Sequence, residues 1–232
     1  MIRFALPPAA MAAVGLLACG SAFADDVDAD IVKAQAGTYL IAPASGAPGC
    51  RIALGTDNAT GGYSLTGEEN CTKPLPAFAE AYSWNFDENG GVIIIDAARK
   101  VLARFIENEG SPLKTEGDEP LLLIEAPKGV DRLPTVKSLA GNWTLQRPAG
   151  EKLCMLVLGD DIDEDGNAPL SPSGDCTSAV AKLKLAVFHV EGFGIVLMSR
   201  DGASISLDML PDGSFQKSPE EGGKPLLMVR KP

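Results

Sequence analysis

Cys50-Arg51-Ile52-Ala53-Leu54-Gly55 returns later in the chain as Cys154-Met155-Leu156-Val157-Leu158-Gly159, 104 residues on. Just ahead of it, Ala36-Gly37-Thr38-Tyr39-Leu40 returns as Ala140-Gly141-Asn142-Trp143-Thr144 at the same offset of 104. Further along, Gly91-Val92-Ile93-Ile94-Ile95 matches Gly194-Ile195-Val196-Leu197-Met198. Each copy closes on a similar strand, Pro120-Leu121-Leu122-Leu123-Ile124 and then Pro225-Leu226-Leu227-Met228-Val229. Landmarks in one order at a nearly fixed spacing mean a duplicated unit rather than chance likeness between β-rich segments.

The cysteines follow the repeat. Five are present, and with Cys19 set aside the other four fall in two pairs, Cys50 with Cys71 and Cys154 with Cys176. Four cysteines allow three pairings. The matching surroundings favour the local one, Cys50–Cys71 and Cys154–Cys176. A disulfide closing a loop of about 20 residues stabilises by about 3 kcal/mol in the chain-entropy model, which matters for units of roughly a hundred residues with modest cores.

Local signals are β throughout. Val92 to Ile95 and Ile195 to Met198 are short apolar or β-branched runs. Asn89-Gly90, Asp201-Gly202 and Asp212-Gly213 separate them as tight turns, in which Gly tolerates positive φ. The exception is a short helix expected over Ala29 to Gln35. Many short antiparallel strands suggest a small barrel or a sandwich. Lys128-Gly129-Val130-Asp131-Arg132-Leu133-Pro134 has charge, Gly and Pro but no apolar period, and reads as a short linker. The expected division is an export signal over 1–24, one unit over 25–129 and a second over 130–232.

The N-terminus reads as that signal. Arg3 precedes an apolar run, Phe4 to Ala18, and Ala22-Phe23-Ala24 has the small-x-small pattern of a cleavage site. The run falls short of the ~18 residues a membrane span needs. An alternative is Leu16-Leu17-Ala18-Cys19, a lipobox-like stretch in which cleavage before Cys19 would make that residue a lipid anchor. Cleavage after Ala24, leaving a soluble periplasmic chain, is the preferred reading. Net charge is −11, so nucleic acid is not an expected partner.

Catalytic equipment is sparse. The one histidine, His189, lies in a strand-like stretch without a nucleophile or partner ligands. Paired cysteines are neither nucleophiles nor thiolate ligands. There is no phosphate loop and no His-Glu-x-x-His helix. Asp161-Ile162-Asp163-Glu164-Asp165-Gly166 alternates carboxylates as calcium loops do, yet Pro172 stands where the closing acidic ligand belongs, and an acidic turn is the favoured reading. No catalytic residue, metal ligand or cofactor is nominated, and the weight moves from enzyme to binding protein.

The second copy carries Leu139-Ala140-Gly141-Asn142-Trp143, then Cys154 and Cys176, with Phe188 further on; the first carries Ala36-Gly37-Thr38-Tyr39, Cys50 and Cys71, then Trp84. Each copy keeps one of two tryptophans and replaces the other by another aromatic. In this pattern both copies resemble the bacterial alkaline-protease inhibitor family, whose members bind serralysin-type zinc metalloproteases and which has an outer-membrane lipoprotein branch. The resemblance implies an all-β protein of two tandem small antiparallel β-barrels, each with one disulfide. It implies a zinc metalloprotease of the periplasm or the extracellular space as partner, and contact with a membrane only if Cys19 is lipidated. It also implies a short N-terminal trunk, here Asp25, Asp26, Val27 and Asp28, that enters the protease cleft, where a chain-terminal amine or a carboxylate can displace the zinc-bound water.

Overall fold

The computed structural model describes residues 27–107 and 112–231. The signal segment, Cys19, Asp25 and Asp26 lie outside these residues.

After helix α1 (Ala29–Gln35), eight strands follow: β1 (Gly37–Pro43), β2 (Cys50–Ala59), β3 (Gly62–Thr66), β4 (Ala81–Phe86), β5 (Val92–Asp96), β6 (Val101–Phe105), β7 (Leu113–Lys114) and β8 (Leu121–Ile124). Helix α2 (Val136–Leu139) then opens the same series again. Its strands are β9 (Gly141–Gln146), β10 (Lys152–Leu158), β11 (Ala168–Pro172), β12 (Leu185–Glu191), β13 (Gly194–Ser199), β14 (Ser204–Met209), β15 (Phe215–Lys217) and β16 (Leu227–Arg230), with helix α3 (Ser178–Ala181) between β11 and β12. The duplication therefore holds strand for strand, and the helix expected at Ala29–Gln35 is present.

All neighbouring strands pair antiparallel. The second set closes as a barrel, β9 pairing with both β10 and β16. The first set runs β6-β5-β4-β3-β2-β1-β8-β7. Among the described residues one bridge joins its two edges, in which Ile106 and Lys114 exchange hydrogen bonds of 2.8 and 3.1 Å. Strand β7 has only two residues, too few to build the longer ladder that β15 makes with β14 in the second barrel.

Alternation explains the filling of each barrel. In β13, Ile195 and Leu197 point inward while Val196 and Met198 are half-buried outside, the period of two that a half-buried strand requires. The first core gathers Ile41, Ile52, Trp84, Ile94, Phe105 and Leu123; the second gathers Trp143, Leu145, Leu156, Phe188 and Phe215. Trp84 and Phe188 occupy equivalent places on β4 and β12, as do Tyr39 and Trp143 on β1 and β9. Disulfides Cys50–Cys71 and Cys154–Cys176 are both formed, each holding the connection after the third strand onto the second strand of its barrel.

The linker is not a free connection. Val130 and Leu133 are only 2% and 8% exposed. Leu133 packs against Leu40 and Ala42 on the outside of the first barrel, partners far away in sequence that leave no apolar period in the linker.

Candidate functional site

The first barrel receives the chain at one end. There Asp28 caps α1: its carboxylate accepts from the N–H of Asp30 at 2.8 Å, and its carbonyl accepts from those of Ile31 and Val32. An acceptor at this position satisfies donors that have no partner within the helix. Val32 is buried in the barrel end and Val27 packs against the same core, while Ile31 stays 54% exposed. Of the four residues expected to form a trunk, Val27 packs against the barrel core and Asp28 caps α1, and Asp25 and Asp26 lie outside the described residues.

Two further bonds fix α1. The Tyr39 hydroxyl donates to the Gln35 carbonyl at 2.9 Å, and the Gln35 amide donates back to that hydroxyl at 3.1 Å. Burial raises the Tyr39 pKa above its ordinary value, and the nearby Glu125 carboxylate raises it further. Beside the helix, the long β2–β3 hairpin forms the wall of a cleft of about 540 Å³ lined by Val27, Asp28, Ala29, Val32, Thr56, Asn58 and Tyr63. Tyr63 stacks obliquely on Trp84 with ring centres 5.2 Å apart, and the Trp84 indole N–H donates to the Gly55 carbonyl at 2.9 Å.

The corresponding end of the second barrel uses the same scheme with other residues. Thr135 and Ser138 cap α2 reciprocally, the device in which each side chain bonds the other's backbone N–H. The Trp143 indole N–H donates to the Leu139 carbonyl at 2.7 Å. The Arg230 guanidinium lies 4.7 Å from the Trp143 ring centre and donates to the carbonyls of Ala140 and Ser138. Glu125, following β8, holds the matching place beside Tyr39. At these matching positions the first barrel thus has a carboxylate and the second a guanidinium.

Other candidates resolve without a reactive centre. His189 is half-exposed on β12, its nearest carboxylate Glu191 at 3.9 Å. One carboxylate oxygen of Asp163 accepts from the N–H groups of Asp165 and Asn167 at 3.1 and 2.8 Å, so the acidic stretch Asp161–Asp165 is a closed turn. Among the described residues no group of three or more His, Cys, Asp or Glu side chains is placed to hold a metal ion.

Sequence reasoning missed Arg51. Its guanidinium reaches three carbonyls, that of Val130 in the linker at 2.7 Å and those of Ala126, at 3.1 Å, and Pro127 just ahead of it. The signal was present: the second copy has Met155 at that position, so the charge is a feature of one copy only.

Comparison with protein families matches the model described as protease inhibitor Inh to two segments of this chain, residues 32–123 and 133–230. Comparison with curated proteins gives no match.

Proposed function

The chain belongs to the protease inhibitor Inh family, with two family domains in tandem, and on that premise we propose that it inhibits a serralysin-type zinc metalloprotease in the periplasm. The residues ahead of α1 enter the enzyme's cleft, and the first barrel rests on the cleft rim. The observation that supports this reading is the packing of Val27 against the core at the end of the first barrel, with Asp28 capping the helix that follows. With cleavage after Ala24, two residues precede Val27. They reach about 7 Å beyond it when extended, and they end in an amine flanked by the Asp25 and Asp26 carboxylates. Either group can take the place of the zinc-bound water that would attack the substrate. Barrel contacts around the cleft add buried area.

The experiment compares mature chain with chain lacking Asp25–Asp28 against a serralysin-type enzyme. The reading expects strong inhibition that falls by orders of magnitude on truncation. Equal potency of the two forms contradicts the trunk mechanism while leaving inhibition by the barrels standing.

The lipobox-like Leu16-Leu17-Ala18-Cys19 supports a second reading, an envelope lipoprotein or binding module without inhibitory activity. The mass of the mature N-terminal peptide separates the two: a free Asp25 supports the inhibitor with a usable trunk, and a lipidated Cys19 supports the membrane-anchored protein.

A further inference from the structure

Two outward-facing residues of β1, Leu40 and Ala42, are 0% exposed. Ordinary alternation would leave them on the barrel surface. They are covered instead by Leu133 of the linker and by Phe193, which belongs to the β12–β13 turn of the second barrel, together with Leu122, Ile124 and Ala126. Polar contacts accompany this apolar seam. The Gly49 N–H donates to the Asp131 carbonyl at 2.7 Å, and Arg51 holds the carbonyls of Ala126, Pro127 and Val130. Gly129 lies so close to the β14–β15 turn that an added Cβ would be 3.0 Å from Pro211.

The parts of the second barrel that make these contacts share one end. Register places the start of β9, the β12–β13 turn, the β14–β15 turn and the close of β16 together. This is the end that carries α2 and Trp143, the counterpart of the trunk end of the first barrel. Arg132, Leu133 and Pro134 line one cleft with Trp143 and Arg230 there. The repeat offset of 104 sets Gly129–Arg132 where the first copy has Asp25–Asp28.

We infer that the second barrel is a buttress whose own trunk end is closed by the linker and by the flank of the first barrel, so that each chain engages one protease molecule, through the first barrel. The segment equivalent to the trunk is bonded along its backbone to the first barrel and cannot enter a cleft. The engagement rests on the inhibitor reading; the docking of the two barrels does not.

Two measurements on the full mature chain test this. The first is trypsin cleavage after Lys128 and Arg132, mapped by mass. A docked linker is cut only through local opening, so cleavage should be slower than in an Arg51→Ala/Phe193→Asp double variant by about tenfold or more. Should that variant misfold, hydrogen exchange at the Gly49 amide of the unaltered chain serves instead, with protection of about a hundredfold or more over a free peptide expected. The second is native mass spectrometry with excess serralysin-type protease. A resistant linker with one protease per chain supports the inference. A linker cut as fast as an unstructured peptide, an unprotected Gly49, or two proteases per chain overturns it. A resistant linker with no protease bound contradicts the inhibitor reading and supports the docking of the barrels.

Discussion

Tyr39 and Trp143 stand at the same position of the two barrels and each makes the same bond, donating to the carbonyl of the residue four places earlier: Gln35 at 2.9 Å and Leu139 at 2.7 Å. The ring chemistry differs and the architectural task is shared. Each ring fills the barrel end and ties the incoming helix to the first strand.

The two positions should differ in sensitivity. Tyr39→Phe removes both hydrogen bonds between this hydroxyl and Gln35 at little change in volume and should cost about 1–2 kcal/mol. Trp143→Phe loses volume in a closed core, leaves the Leu139 carbonyl short of a donor and weakens the Arg230 contact; about 2–4 kcal/mol is expected. Denaturant unfolding of each variant measures both.

Each barrel holds one of the two tryptophans of the chain, Trp84 and Trp143, and both are buried. A Trp84→Phe chain therefore reports unfolding of the second barrel alone by fluorescence, and Trp143→Phe reports the first. With the linker docked, Arg51→Ala placed in both backgrounds should lower stability by about 1.5–3 kcal/mol, the range for hydrogen bonds to a charged group. It should also move the two fluorescence midpoints apart. Unchanged midpoints would deny Arg51 a role in coupling the barrels.

Much of this arrangement was legible in the sequence. The repeat with its cysteine pairs gave the two units and both disulfides. Asn89-Gly90, Asp201-Gly202 and Asp212-Gly213 marked real turns, and the helix over Ala29–Gln35 has the expected bounds. The barrel rather than a sandwich came from the family resemblance. The docking of the linker was hidden because Leu133 packs against Leu40 and Ala42 of β1, and such non-local contacts leave no period in the segment itself. Phe193 carried a faint signal as an aromatic between two glycines. The role of Asp28 as a helix cap was overlooked because the acidic run Asp25–Asp28 was read as one trunk.

Close backbone approach makes Gly62 a sensitive position. A Cβ there would sit 2.1 Å from the Trp84 carbonyl oxygen, which is held in the sheet. At Gly55 the nearest atom is the Ser64 hydroxyl at 2.2 Å, which can rotate away. Gly62→Ala should destabilise by about 1–3 kcal/mol and Gly55→Ala by less, as read from thermal or denaturant midpoints.

Acid should weaken the first barrel through Asp87. Its pKa is lowered chiefly by the hydrogen bond from Arg104, at 2.5 Å, and then by the N–H of Asn89, with Gly91 adding to the effect. A carboxylate with a depressed folded pKa contributes its stabilisation fully above its unfolded value, about 4. That contribution is lost as pH falls from there through the folded pKa. Asp87→Asn should be less stable than the unaltered chain at neutral pH, and the difference should shrink on acidification below about pH 4. A constant difference between pH 7 and pH 2 would exclude this linkage.

The inhibitor reading meets its most direct test in a titration of the mature chain into a serralysin-type zinc metalloprotease at an enzyme concentration above the dissociation constant, with peptide hydrolysis followed at steady state. The account predicts a linear loss of activity that ends at one chain per enzyme, with the chain recovered uncut. Full hydrolysis in the presence of excess chain, or progressive cleavage of the chain as a substrate, would contradict it.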